Sequence, residues 1–125
     1  MRLAIIGALL LGLAACGGDD LTPKEGCNQF AVAYCGRIYA CFTAQELAAA
    51  QFPPTEAACV TNFQNNAGCA NQTTANACDG NETYHGSYAD DCVDQMKGLE
   101  CSQVRDPNLN TDTAAPACGK VCSVD

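Results

Sequence analysis

Ten cysteines between residues 27 and 122 constrain the fold of this 125-residue chain more than any other feature. They are Cys27, Cys35, Cys41, Cys59, Cys69, Cys78, Cys92, Cys101, Cys118 and Cys122. An even number of cysteines at this density is typical of a disulfide-stapled exported domain and predicts five bridges. The chain has no Trp and few large aliphatic side chains, so bridges contributing about 2–4 kcal/mol each would offset a thin core.

The N-terminus has the pattern of an export and anchoring signal. Arg2 precedes an uncharged apolar run over residues 3–15, which is shorter than the roughly 20 residues of a spanning helix and suits a signal peptide. The run ends in Leu13-Ala14-Ala15-Cys16, which resembles the lipobox of bacterial lipoproteins. The resemblance implies that residues 1–15 are a signal peptide and that Cys16 is acylated on its thiol, as with palmitate, and on its new amine.

The same resemblance implies attachment to the membrane through this lipid anchor. Gly17 rather than Asp follows Cys16, which favours the outer membrane under the sorting rule of enteric lipoproteins. Residues 16–25 are then expected to be a lipidated N-terminus and flexible tether, and residues 26–125 a cysteine-rich helical domain.

The excess of acidic over basic side chains limits the classes of partner that we expect. The chain has 6 basic and 14 acidic side chains, and Arg2 is the one basic residue ahead of Cys16. Nucleic-acid binding and polybasic attachment to anionic lipid both need a basic surface. We therefore expect no nucleic-acid partner, and the acidic residues have an ordinary role in solubility.

Residues 27–42 are predicted to form an amphipathic helix. At about 100° per residue, its cysteines and aromatic side chains share one buried stripe. The stripe is Cys27, Phe30, Ala31, Tyr34, Cys35, Ile38, Cys41 and Phe42. The opposite, solvent side is Gln29, Ala33, Gly36 and Ala40.

Capping signals predict the next two helices. Thr43 and Glu46 have the spacing of a capping box and predict a helix to about residue 50, which Pro53-Pro54 would stop. Thr55 is the candidate N-cap of a helix to about residue 67, with Gly68 as its stop.

The remaining chain predicts loops and one longer helix. Residues 68–86 show no apolar period and predict a loop, while Ser87 and Asp90 repeat the capping-box spacing ahead of a helix to about residue 102. Residues 105–116 are expected to be loop, followed by a helical turn that carries Cys118 and Cys122. The fold class is therefore mainly α: a small disulfide-stapled helical bundle with long loops.

The bridge connectivity stays open, because ten cysteines allow several hundred pairings. The spacing favours a bridge between Cys41 and Cys59, which would join the ends of the first and third helical segments. It disfavours a bridge between Cys118 and Cys122.

A calcium site over residues 79–90 is an alternative. Oxygen-bearing side chains there fall at positions 1, 3, 5, 9 and 12 of an EF-hand-like spacing. They are Asp79, Asn81, Thr83, Ser87 and Asp90. Tyr84 replaces the turn glycine, and a second alternating run departs further from the pattern. That run is Asp106, Asn108, Asn110 and Asp112. Turn-forming Asn and Asp explain both runs without a metal, so no metal or other cofactor is expected.

Catalytic patterns are weak. His85 is the single histidine, no G-x-S-x-G motif surrounds Ser87, Ser102 or Ser123, and no Cys-x-x-Cys occurs. The carboxylates Asp90, Asp91 and Asp94 flank Cys92 on the predicted helix, and Asp90 and Asp91 are expected in its first turn, where they favour the helix dipole. We therefore expect no enzyme, with a thiol-redox or hydrolytic envelope enzyme as the alternative.

The cysteine spacing from Cys27 to Cys122 also resembles the small cysteine-rich helical lipoproteins of myxobacteria-like genomes. That resemblance implies an envelope location and a stapled helical fold, and it transfers no binding or catalytic residue. The expected function is a lipid-anchored, non-enzymatic interaction or structural module with an envelope or surface protein as partner.

Overall fold

Six helices and one short strand pair make up the fold. The structure is a computed structural model that describes residues 20–125, so Cys16 and the expected signal peptide lie outside the described residues. The helices are α1 (Pro23–Cys41), α2 (Ala44–Ala49), α3 (Glu56–Asn66), α4 (Gly86–Lys97), α5 (Cys101–Val104) and α6 (Thr111–Ala114). Short 3-10 turns span Cys69–Asn71 and Cys118–Lys120, and β1 (Thr83–Tyr84) pairs antiparallel with β2 (Cys122–Ser123). The expectation of a mainly α, disulfide-stapled fold is confirmed.

Helix α1 begins earlier than its apolar pattern indicated. Thr22 caps it in a complete capping box with Glu25, and Pro23 occupies the first turn. Leu21 is buried in the core, and its N–H donates to the Gly86 carbonyl at 3.3 Å. Residues 21–25 therefore belong to the folded domain, which corrects the expected tether over 16–25 and the domain start at 26.

Helix α1 is packed on two sides, by α3 and by α4. Cys35 and Cys41 are buried as predicted. Ala33 was expected to face solvent but is 4% exposed and lies in the same core cluster as Val93 and Met96 of α4. That prediction is wrong because a small side chain facing a second helix gives little apolar signal.

The two following helices agree with their capping signals. Thr43 forms the predicted box with Glu46 at the start of α2, and the Thr55 hydroxyl accepts from the Ala58 N–H at the start of α3. Gly68 takes a left-handed conformation at φ 65°, as a glycine stop after a helix requires.

The second half departs more from expectation. Helix α4 starts at Gly86 with His85 as N-cap, so the predicted capping box between Ser87 and Asp90 is wrong. Ser87 lies inside the first turn. The helix also ends at Lys97 rather than near residue 102, and α5 follows as a separate turn.

The regions predicted as loop contain short elements. Helix α6 lies within 105–116, and the 3-10 turn Cys69–Asn71 and strand β1 lie within 68–86. Cys122 lies on strand β2 opposite Tyr84 rather than on a helix. A two-residue strand carries no readable period, since its pairing depends on the distant partner.

All ten cysteines from Cys27 to Cys122 are paired. The bridges are Cys27–Cys69, Cys35–Cys59, Cys41–Cys101, Cys78–Cys122 and Cys92–Cys118. The expected Cys41–Cys59 bridge is wrong, because α3 packs beside the middle of α1 and brings Cys59 to Cys35. Cys118 and Cys122 are not joined, as predicted.

The bridges divide the chain into two nested pairs and one connecting bridge. Cys35–Cys59 lies within the span of Cys27–Cys69, and Cys92–Cys118 lies within the span of Cys78–Cys122. Cys41–Cys101, with the largest sequence separation at 60, is the bridge that joins the two halves.

Candidate functional site

An apolar cleft of about 360 Å³ opens where α1, α3, β1, α4 and the C-terminal segment meet. Its lining is mostly aliphatic, aromatic and disulfide side chains. They include Phe30, Phe63, Ala67, Tyr84, Ala89, Val93 and Val121. Such a lining suits the burial of an apolar group, and the volume lies within the range of ligand sites.

Aromatic rings from two helices form one wall of this cleft. The rings of Phe30 and Phe63 lie 5.8 Å apart between centroids, and Tyr34 lies 5.6 Å from Phe63. Below them, Val93 of α4 is 1% exposed. Phe30 and Tyr34 pack against the buried cluster that contains Val93, so this wall is continuous with the core.

Tyr84 supplies a polar group at the cleft. Its hydroxyl donates to the Thr22 carbonyl at 3.2 Å. Burial raises the pKa of Tyr84, and the negative charge of Glu25 adds to that rise. Gly26 makes the close approach possible, because a Cβ there would meet the Tyr84 hydroxyl at 2.6 Å.

Three disulfides border the cleft. Cys27, Cys92, Cys118 and Cys122 line it, and they belong to the Cys27–Cys69, Cys92–Cys118 and Cys78–Cys122 bridges. The cleft lies between elements from both halves of the chain. Each side of the cleft is therefore braced by disulfides within its own half of the chain.

The calcium candidates lie in several elements rather than in one loop. Thr83 is on β1, and its hydroxyl donates to the Asp125 carboxylate at 3.2 Å. Asp90 lies inside α4, while Asp79 and Asn81 precede β1. Within residues 20–125, no group of three or more His, Cys, Asp or Glu side chains is arranged to hold a metal ion.

The second alternating run has local roles. Asp106 accepts from the Asn108 N–H at 2.8 Å, and Asn110 caps α6 by accepting from the N–H groups of Asp112 and Thr113. Both contacts are turn and cap chemistry.

His85 lies between an acidic and an aromatic side chain. Its Nε2 is 3.4 Å from a carboxylate oxygen of Asp125, and its ring stands edge-on to Tyr88 at 5.9 Å between centroids. Ser87 and Asp20 line a shallow hollow beside His85.

The other catalytic candidates are on different elements. Ser102 lies on α5 and Ser123 on β2, while Asp90, Asp91 and Asp94 lie along α4. The expected position of Asp90 and Asp91 in the first turn is wrong, because α4 already starts at Gly86. Asp94 forms an ion pair with Lys97 at 3.3 Å. No helix in the described part of the chain has the length and apolarity to cross a membrane.

Two arginines at the junction of α1 and α5 were missed at the sequence level. Arg37 Nη2 lies 3.4 Å from the Sγ of Cys41 and 3.6 Å from the Sγ of Cys101. Arg105 donates to the Cys41 carbonyl and to the Glu46 carboxylate. The spacing of Arg37 and Cys41, four apart on a helix, could have indicated the first contact.

Glu46 is strongly perturbed at this junction. The hydrogen bond from the Thr43 N–H, followed by hydrogen bonds from Arg105 and from the Thr43 hydroxyl, lowers its pKa from 4.5 to about 2. The guanidinium of Arg105 also lies 4.8 Å over the ring of Phe42. These contacts link the start of α2 to the end of α5.

Comparison with protein-family models, with curated proteins and with solved structures found no match to this chain.

Proposed function

We propose that this chain is a lipid-anchored protein of the cell envelope, at the outer membrane, that acts as a non-enzymatic interaction module. The pairing of all ten cysteines from Cys27 to Cys122 carries the proposal, because such bridges persist in oxidising compartments outside the cytoplasm. The lipobox at Leu13-Ala14-Ala15-Cys16 supplies the anchor.

The binding surface of the module is the apolar cleft, and its occupant is a bulky apolar side chain of an envelope protein. Phe30 and Phe63 provide complementary apolar area, and buried aromatic anchors dominate the energetics of such contacts. Disulfides on its borders restrict the motion of each side of the cleft before binding, which lowers the entropic cost of association.

Mass spectrometry of the full chain recovered in detergent tests the anchor. The natural chain and a Gly17→Ser control are expected to begin at Cys16 and to carry acyl chains, whereas Cys16→Ser carries none. An unacylated natural chain, or one cleaved elsewhere, would refute lipid anchoring.

Site-specific photo-crosslinking in intact cells tests the cleft. Ala67, the C-cap of α3, is exposed and lines the cleft, while Ala57 in the first turn of α3 is exposed and lies outside the cleft. A benzophenone side chain at position 67 is expected to give one defined protein adduct, and the same group at 57 is expected to give none. Equal adducts from both positions, or none from 67, would rule out the cleft as the binding surface.

A further inference from the structure

The Cys41–Cys101 bridge lies against Arg37, which has no counter-charge among the described residues. Arg37 Nη2 contacts both sulfurs, at 3.4 and 3.6 Å. Within residues 20–125, no carboxylate comes within ion-pair distance of Arg37, and its Nε is buried with no hydrogen-bond partner. A half-buried cation is thus matched with a neutral disulfide.

Reduction would create the charge that Arg37 lacks. Opening the bridge converts a neutral sulfur pair into groups that ionise, and a cation in contact lowers the pKa of a cysteine thiol. Thiols with a lower pKa also leave faster in thiol–disulfide exchange. Arg37 therefore favours both the reduced state and the route to it.

Two other bridges lie beside a partial negative charge instead of a cation. The carbonyl oxygen of Cys92 lies 3.8 Å from the Sγ of Cys118, and that of Ala77 lies 3.5 Å from the Sγ of Cys122. A carbonyl oxygen carries partial negative charge and disfavours a thiolate beside it. The remaining two bridges are protected by burial: the cysteines of Cys35–Cys59 are 0% and 5% exposed, and Cys69 of Cys27–Cys69 is 0% exposed.

We propose that Cys41–Cys101 is a thiol-exchange site that opens selectively while the other four bridges stay closed. Cys101 is half-buried, whereas Cys41 is 8% exposed, so an external dithiol attacks the Sγ of Cys101. The new sulfur–sulfur bond forms as the old one breaks, and the electron pair leaves on the Sγ of Cys41 opposite Arg37.

A second thiol–disulfide exchange completes the reduction of the bridge. The other thiolate of the dithiol attacks the mixed disulfide, so that the dithiol leaves as its own disulfide and Cys101 leaves as a thiolate that takes up a proton. Two electrons have then passed from the dithiol to the bridge. The C-terminal end of α1 opposes a thiolate on Cys41 with about half a unit charge, but Arg37 supplies a whole charge in contact with the sulfur.

Opening this bridge uncouples the two halves of the chain and leaves each half stapled. Cys27–Cys69 and Cys35–Cys59 remain in one half, and Cys78–Cys122 and Cys92–Cys118 remain in the other. The bridge lies at the α1–α5 junction, and its cysteines are not among the residues that line the cleft. The exchange reaction therefore takes place away from the cleft.

Differential alkylation of the full chain after graded dithiothreitol treatment tests the proposal. Trypsin places Cys101, Cys118 and Cys122 on separate peptides, 98–105, 106–120 and 121–125. Half-labelling of Cys101 is expected at a dithiothreitol concentration about tenfold lower than for the other two, because Arg37 stabilises the thiolate that forms when this bridge opens.

Arg37→Met is the decisive variant, because it keeps an unbranched side chain as far as the position of Nε and removes the charge. It is expected to move Cys101 labelling to the concentrations of the other bridges, while Lys24→Met, on the same helix and with the same net charge, leaves the order unchanged. Earlier labelling of another cysteine, simultaneous opening of all bridges or an unaltered Arg37→Met would each overturn the proposal. If Arg37→Met does not fold, the order of labelling in the natural chain decides alone.

Discussion

At the scale of single residues, small side chains set how closely α1 approaches its neighbours. Ala31 and Ala33 are 0% and 4% exposed, and Gly26 lies against Tyr84 and Ala89. Larger side chains at these positions would hold α1 away from the elements packed on it.

Gly26→Ala is predicted to destabilise the protein by about 1–3 kcal/mol, because the new Cβ would meet the Tyr84 hydroxyl at 2.6 Å. Gly36→Ala on the same helix is the matched control. Its nearest neighbour is the flexible end of Glu56 at 3.4 Å, so a gain of up to about 1 kcal/mol is expected. Urea midpoints measure both.

Adding Tyr84→Phe to Gly26→Ala separates the steric effect from other causes, since it removes the atom in the way. The double variant is expected to lose less stability than the sum of the two single changes. Strict additivity would mean that the hydroxyl contact is not the cause.

Glu46 gives a pH prediction. Its pKa is lowered to about 2 in the folded protein from 4.5, so its contribution to stability is present above pH 4.5 and is lost as the pH falls from 4.5 towards 2. Glu46→Gln is expected to flatten the fall of the urea midpoint over that window.

Arg105→Met should reduce the fall of the urea midpoint between pH 4.5 and 2 by less than Glu46→Gln does. The hydrogen bond from the Thr43 N–H, which lowers the Glu46 pKa most, remains in Arg105→Met. A midpoint that falls as steeply in Glu46→Gln as in the natural chain would contradict the assignment.

At the scale of elements, the predictable helices are those with caps and stops close in sequence. Thr43, Thr55 and Gly68 act within a few residues, so the predictions for α2 and α3 agree with the structure. Strands β1 and β2, by contrast, depend on pairing across 38 residues, as between Tyr84 and Cys122. No local pattern encodes such a pairing.

The candidate sites also combine features that a local sequence pattern predicts with features that depend on residues distant in sequence. The cysteine count predicted five bridges, but the pairing follows from the packing of α1 between α3 and α4. The cleft combines Phe30, Phe63, Tyr84 and Val93 from four elements, so it exists only in the folded chain. Arg37 had a local signal, its spacing to Cys41, but the second sulfur, on Cys101, lies 64 residues away.

We predict that the contribution of a bridge to the stability of the protein depends more on the burial of its sulfurs than on the length of the loop that it closes. Replacing Cys35 and Cys59 by Ala should cost more than replacing Cys78 and Cys122, although the sequence separations are 24 and 44. Chain entropy favours the longer loop by only about 0.5 kcal/mol, while each fully buried sulfur is worth about 1 kcal/mol. Urea unfolding of the two double variants gives the order, and a larger loss without Cys78–Cys122 would reverse it.

At the scale of the whole molecule, the bridges make two covalent units joined by Cys41–Cys101 and by the exposed chain around Thr74. A protease site inserted after Thr74 is predicted to yield, once cut, one species on a denaturing gel without reductant and two species with it. The same insertion in Cys41→Ala/Cys101→Ala should give two species in both gels. Release of the halves from the bridged chain without reductant would contradict the connectivity.

The burial of Leu21 has a consequence for a chain fastened at Cys16. Five residues of fully stretched backbone reach at most about 18 Å, so the domain would rest against the lipid headgroups instead of extending into the surrounding space. Its encounters would then be confined to molecules that come to the bilayer surface, and its orientation there would be restricted.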